Sequence, residues 1–247
     1  MPLTGKRILV TRPRGLAQGL GALIAGEGGE PLFYPAIEIC DPEDPAPARA
    51  LLSRLELFDL AVFVSPSAVR KALELAAGRD WPAHLRLAAP GAGTRRELEA
   101  HGFHGVIAPA AQADSEALLA LPELAQVANA RVLVLRGAGG RELIGETLAA
   151  RGARVQYAEC YRRMRPAAGA VPPPEGRLDG ICVGSGEALE NLVALLGRER
   201  VALATLFVPH ARVERLARDL GLGETVLAAP GDAEMLARML AYFGGTK

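Results

Sequence analysis

Residues 133–142 read LVLRGAGGRE. An aliphatic run delivers an arginine, Arg136, into a turn with three glycines in four positions. A chain built this way brings one cation and several unblocked backbone amides to the same anion. A dinucleotide would ask for G-x-G-x-x-G, with glycine at 137, 139 and 142. Position 142 is Glu142, so the glycine that packs helix against strand is missing. Glu159 does lie roughly 20 residues further on, about where a ribose-binding acid would sit. A nucleotide-dependent transferase stays open on those grounds. The competing reading has Arg136, Gly137 and the loop amides holding some other anion.

The other candidates stand just past aliphatic runs or at the heads of helical patterns. They are Thr11 and Arg12 after RILV, Ser65 and Ser67 in SPSAVRKAL, Thr94 in GTRRELEA, Ser115 in DSEALLAL, Ser185 in GSGEALENL, and His210 and Asp232 later in the chain. Taken singly, the hydroxyls suit helix N-caps. Taken together, several helix N-termini with free amides would bind a polyanion without a positive overall charge. Conventional catalytic sets do not emerge. His101-x-x-His104 sits at a helix-ending glycine without a third ligand nearby, so no metal is expected, and no Ser-His-Asp order is present. Tyr161, at the end of the strand VQYAECYRR and beside a linker, is placed at the mouth between domains.

Composition limits the partners. The chain has 247 residues, half of them apolar, and 28 basic side chains cancel 28 acidic ones. Duplex nucleic acid draws its binders' affinity from a basic surface, so nucleic acid is not expected as a partner, and any anion must be held locally. Three cysteines without C-x-x-C give neither a disulfide framework nor a zinc ribbon. The N-terminal apolar run is too short for a signal-peptide core, and no stretch approaches a membrane span. A cytoplasmic protein with no membrane partner is expected.

The elements that must position these residues occur twice. RILVTRP (7–13) matches RVLVLRG (131–137), DLAVFVSPSAV (59–69) matches DGICVGSGEAL (179–189), APGAGTRRELEAHGF (89–103) matches VPHARVERLARDLGL (208–222), and ADSEALL (113–119) matches GDAEMLA (231–237). Four matches in one order indicate an internal duplication. In each copy short aliphatic runs alternate with longer helical patterns, which predicts parallel sheets flanked by helices. Strands are expected at 7–11, 31–39, 60–65, 85–89 and 105–108, then at 131–135, 154–161, 179–184, 204–208 and 225–228. The helices stop at glycine, and the junction 109–130 reads as a helix. The proline-rich stretches DPEDPAPA (41–48) and RPAAGAVPPPEG (165–176) fall between the second and third strands of each copy. If these are domain boundaries, residues 1–39 plus 166–247 form one α/β domain and residues 40–165 the other, with linkers near 40–48 and 162–176. Two sequential domains split near 124 are the alternative.

In order along the chain, ILVTRP, SxxAV, G-x-G-T, DSEALL, LRGxGGRE followed by L..RGA.V.Y.E.Y.R..P, and H.R......LG resemble the uroporphyrinogen-III synthase family. The resemblance covers nearly the whole sequence. It implies a cofactor-free, cytosolic, monomeric tetrapyrrole enzyme of two flavodoxin-like or Rossmann-like α/β domains with parallel sheets, joined by a two-stranded connector. The substrate it implies is hydroxymethylbilane, a linear polycarboxylate. The implied reaction removes its hydroxyl, inverts the terminal pyrrole ring through a spiro intermediate and closes the macrocycle. The family's cleft tyrosine matches Tyr161, as a general acid toward the departing hydroxyl. Arg12, Ser65, Ser67, Thr94, Ser115, Arg136, Ser185 and His210 carry over as substrate-binding residues. Pro90 before Gly91, the Gly184-Ser185-Gly186 sequence and His210 itself depart from the family's usual residues. A bilobed small-anion binding module without catalysis is the reading from a different class.

Overall fold

The computed structural model describes residues 1–110 and 114–245. Among the described residues ten strands run in chain order: β1 (Arg7–Val10), β2 (Glu30–Phe33), β3 (Glu38–Cys40), β4 (Leu60–Phe63), β5 (Arg86–Ala88), β6 (Arg131–Gly137), β7 (Arg154–Met164), β8 (Gly180–Cys182), β9 (Thr205–Val208) and β10 (Thr225–Leu227). They form two five-stranded sheets, ordered β10-β9-β8-β1-β2 and β3-β7-β6-β4-β5. Every ladder from β2 to β10 in the first sheet is parallel, as are those joining β7, β6, β4 and β5 in the second. A parallel bridge between Ala88 and Ile107 continues the second sheet beyond β5.

The first sheet read from its β2 edge is β2-β1-β8-β9-β10, and the second is β7-β6-β4-β5 followed by Ile107. The first is the flavodoxin-like order 2-1-3-4-5 in chain sequence, and the second reaches the same arrangement only when counted from β6, its strands being circularly permuted along the chain. The two sheets draw on the duplicated halves in opposite ways. One takes its first pair (β1, β2) from the first copy and β8 to β10 from the second; the other takes β6 and β7 from the second copy and its remaining strands from the first. By contacts, the chain divides into a unit of Met1–Glu38 with Met164–Lys247 and a unit of Ile39–Arg163. The chain passes between them twice, along β3 and at the end of β7, which are sheet neighbours.

Both faces of the central strands are covered, which is why they read as unbroken aliphatic runs. On β4, Ala61 and Phe63 join one core cluster while Leu60 and Val62 join another. On β6, Leu133 and Leu135 alternate in the same way with Val132 and Val134. Phe63 is fully buried, and a buried phenylalanine contributes roughly 1.5–3 kcal/mol relative to an exposed one. In the other unit Ile8 and Val10 pack with Leu20, Ile24, Phe207, Met235 and Met239.

Four local expectations differ from the structure. The stretch 31–39 is two strands, β2 and β3, in different sheets, because Pro35 between them has no N–H to give a ladder. The strand expected at 105–108 is reduced to the Ile107 bridge, between Gly105 at positive φ and Pro109. The helix expected over 109–130 is two short helices, Ser115–Leu119 and Pro122–Ala125, divided where Pro122 lacks an amide. Residues 111–113, which include the start of the ADSEALL match, lie outside the described residues. Finally, β6 and β7 run past their expected ends at 135 and 161, to Gly137 and Met164.

Candidate active site

In a sheet of this order the chain turns away in opposite directions on either side of one strand pair, and ligands bind beyond the carboxyl ends there. These pairs are β6 with β4 in one unit and β1 with β8 in the other.

Beyond β4, Ser65 is the N-cap of the helix Pro66–Ala76, and its Oγ accepts the Ala68 amide at 3.1 Å. The same Oγ lies 3.0 Å from the Tyr161 phenol oxygen. A parallel ladder pairs Arg136 with Glu159, then shifts register so that Gly137 faces Tyr161. This irregularity aims the tyrosine ring at the end of β4. Tyr161 is the last β7 residue paired with β6, and β7 runs on to Met164, so that Tyr161 lies inside the strand with 3% of its surface exposed. The ring rests directly on Gly137, where a Cβ would come within 2.7 Å of Cε2 and Cζ. The Ala138 amide donates to the Tyr161 carbonyl at 2.8 Å. Glycine at 137 is therefore required by the tyrosine on the next strand, β7, not by a phosphate.

Arg136 is committed within the unit. Its guanidinium donates to the Gly140 carbonyl and to Glu159 Oε1, each at 3.1 Å, and lies 4.2 Å above the Tyr157 ring. Glu142 is 3.6 Å away. Its buried Nε has no hydrogen-bond partner among the described residues. The side chain thus fastens the glycine turn, in which Gly139 has φ +65°, to β7. Tyr157 in turn is seated on Gly145, and its phenol pKa is raised, first by burial and then by the Glu142 charge.

In the other unit, Thr11 Oγ1 donates to the Cys182 carbonyl at 2.8 Å, tying the end of β1 to β8. Arg12 follows and forms an ion pair with Asp232, the first residue of the helix Asp232–Gly244. Ser185 repeats Ser65: it caps the helix Gly186–Leu196, its Oγ accepting the Ala188 amide at 3.2 Å. His210 holds the N-cap position of the helix Ala211–Asp219.

The remaining expected site residues are less central. Ser67 and Thr94 are buried within the first turns of the helices Pro66–Ala76 and Ala92–Ala100. Ser115 opens a five-residue helix whose cap is Asp114, accepting the Ala117 amide at 2.7 Å. The structure joins Ser65, Gly137 and Tyr161 in direct contact, with Arg136 holding the adjoining turn. Tyr157 was not read as a site residue from sequence, Glu159 was read only as a possible ribose-binding acid, and Asp232 only as a candidate without its partner. Glu159 was detectable, because adjacent parallel strands starting at Arg131 and Arg154 set it opposite Arg136. Burial pushes the Cys160 and Cys182 thiols from 9.0 up to about 12, which leaves neither as a nucleophile. No group of three metal-ligating side chains occurs among the described residues. No helix among them is long and apolar enough to cross a membrane.

The chain is similar to known proteins over nearly its whole length. A family model described as "Uroporphyrinogen-III synthase HemD" matches residues 18–237. The uroporphyrinogen-III synthase of Salmonella typhimurium is 36% identical, with 94% of this chain and 99% of that protein covered. The Escherichia coli enzyme is 35% identical over the same shares. Among solved structures, uroporphyrinogen-III synthetase from Helicobacter pylori superposes with a TM-score of 0.64 at 14% identity, covering 96% of this chain and 99% of that one. A mutant uroporphyrinogen III synthase from Thermus thermophilus gives 0.59 at 21%, with 96% and 99% covered. Fold likeness, the family model and identity along almost the full length agree: the chain belongs to the uroporphyrinogen-III synthase family.

Proposed function

We propose that the protein cyclises hydroxymethylbilane to uroporphyrinogen III, and that Tyr161 is the general acid for loss of the terminal hydroxyl. The observation that carries this reading is the phenol held 3.0 Å from Ser65 Oγ at the carboxyl end of β4. Hydroxide is a poor leaving group, and a proton delivered from the phenol lets water depart with the C–O bonding pair as the pyrrole nitrogen's electron pair is pushed through the ring to form a double bond to the methylene carbon. The phenolate left behind accepts a hydrogen bond from Ser65, whose Oγ is itself oriented by the Ala68 amide at a helix end that favours negative charge. When ring closure releases a proton from the substituted pyrrole carbon, the phenolate takes it back. The net change is loss of one water, and no cofactor takes part.

The substrate's carboxylates are bound by helix N-termini and hydroxyls at the switch points of each unit, with Arg12, Ser185 and His210 in one and Ser65, Ser67, Thr94, Ser115 and the turn after Arg136 in the other. That assignment suits a polyanion bound by a chain whose formal charges sum to +0. Its domains are residues 1–39 plus 166–247 and residues 40–165, a reading supported by the compact units Met1–Glu38 with Met164–Lys247 and Ile39–Arg163, and the protein works as a cytoplasmic monomer. Because the linear substrate cyclises unaided to the uninverted isomer, much of the catalysis lies in holding it with the terminal ring turned.

The test feeds freshly generated hydroxymethylbilane to the protein and to Tyr161→Phe and separates the oxidised products by isomer. The expected result is predominantly type III product from the protein, and turnover lowered roughly 10²-fold by the substitution. An undiminished rate in Tyr161→Phe would overturn the acid role, and type I product alone would overturn the reaction.

A further inference from the structure

The duplication places an arginine at the same point of both sheets, and both arginines already hold a carboxylate of their own unit: Arg12 holds Asp232 and Arg136 holds Glu159. Their surroundings differ. Arg136 is also bonded to the Gly140 carbonyl, stacked on Tyr157 and nine-tenths buried. Arg12 has Asp232 as its one hydrogen-bonded partner among the described residues. Both members of that pair keep about a quarter of their side chains exposed, 27% and 25%. An exchange of partners is thus open to Arg12 and closed to Arg136.

From this contrast we infer that Asp232 is a specificity-determining residue, an internal carboxylate that occupies Arg12 in the free protein and that a substrate carboxylate must displace. The inference rests on the reading of Arg12 as a substrate-binding residue. One feature makes the exchange inexpensive for Asp232: it is the first residue of the helix Asp232–Gly244, so when released its charge remains at the positive end of that helix. The paired position itself depends on glycine at 19, where a Cβ would stand 2.8 Å from Asp232 Oδ2. A resident carboxylate sets a threshold. A lone small anion has to replace an intramolecular partner and gains nothing elsewhere, whereas a polycarboxylate engaged at other points presents its next carboxylate at high effective concentration. The site then discriminates by the number of carboxylates on one molecule.

The test measures binding of uroporphyrin, a stable cyclic polycarboxylate, by fluorescence to the full-length protein and to Asp232→Asn, Arg12→Ala and the double variant, with melting temperatures alongside. Removing a partly exposed competitor of this kind is expected to tighten binding about twofold to fivefold in Asp232→Asn. Arg12→Ala is expected to weaken binding, and the double variant to bind like Arg12→Ala. In turnover assays Asp232→Asn lowers KM for hydroxymethylbilane and leaves kcat within about twofold, while Asp232→Glu restores wild-type values. Acetate, as a monocarboxylate competitor, inhibits Asp232→Asn more strongly than wild type. Unchanged or weaker uroporphyrin binding by a folded Asp232→Asn, with Arg12→Ala still weakened, overturns the inference and leaves Arg12 as a ligand. No effect of either single substitution overturns both readings. A tightening that persists in the Arg12→Ala background shows that the charge of Asp232, not its pairing, was responsible, and also overturns the inference.

Discussion

Replacing Gly137 with alanine separates the seat of Tyr161 from its chemistry. The new Cβ would lie 2.7 Å from two ring atoms of Tyr161, where ordinary contact begins near 3.4 Å. The strand backbone at Gly137 is not in the left-handed region, so alanine meets no conformational obstacle of its own and the strain falls on the ring. The ring must retreat by about 0.7 Å to reach ordinary contact. Such a movement away from Ser65 would stretch the 3.0 Å bond between the hydroxyls to about 3.7 Å, too long for a hydrogen bond. Overpacking of this kind typically costs about 1–3 kcal/mol of stability. Misplacing a catalytic group by about 1 Å costs roughly 10²-fold in rate. The expected Gly137→Ala protein is folded, melts lower, and forms type III product about as slowly as Tyr161→Phe. The double variant adds no further loss of rate, because both changes remove the same placed phenol. The assay is isomer-resolved turnover with thermal melting on all four proteins. A Gly137→Ala protein that is stable and turns over at the wild-type rate would refute the argument from seat to phenol, as would fully multiplicative losses in the double variant.

Gly145→Ala drives a Cβ into the Tyr157 hydroxyl, 1.9 Å away, and so disturbs the ring beneath Arg136; a loss of roughly 1–3 kcal/mol is expected, read as a lower denaturant midpoint. Ser185→Ala removes the cap bond to Ala188 and is expected to cost about 1 kcal/mol of stability by the same measurement, while glycine there costs only a few tenths. Cys160 and Cys182 are buried and Cys40 is half-buried, so iodoacetamide at neutral pH is expected to label Cys40 alone in the native protein; labelling of all three at equal rates would contradict the burial. Because those two thiols hold their protons more tightly in the folded chain, their contribution to stability is complete below the ordinary value of 9.0 and is lost as pH rises through about 12. Replacing both with serine should flatten the alkaline limb of a stability-versus-pH curve.

The sheets were legible because their central strands are buried on both faces and carry unbroken aliphatic residues, as at LAVF and RVLVL. What failed was set by single residues acting through tertiary pairing. Pro35 breaks an apolar run that otherwise looks continuous, and β7 runs on to Met164, past its last pair with β6 at Tyr161 and with β3 as its other neighbour, which no local pattern encodes. At the site, strand ends and caps could be read as positions: Ser65 and Ser185 are both N-caps. Which side chains answer each other could not. The spacing from the glycine turn to Glu159 invited a ribose; the same spacing is the length of one strand–helix–strand unit, and its product is the pair Arg136–Glu159. Asp232 was visible at a helix start, but its partner Arg12 is 220 residues away and meets it only through the order of the sheet.

The exchange of strand pairs between the two sheets also sets a timetable for synthesis. The unit Ile39–Arg163 is continuous and can close while the ribosome is still making the rest. The N-terminal pair cannot: β1 needs β8, and Leu9 meets Ile181, 172 residues later. At roughly 5–20 residues per second, the strand RILV waits about ten to thirty seconds with its aliphatic side chains and one ladder edge uncovered. The first strand made is thus among the last to be paired on its inner side, and the nascent chain is most open to misassociation, and to capture by chaperones, during the interval in which its middle is already folded.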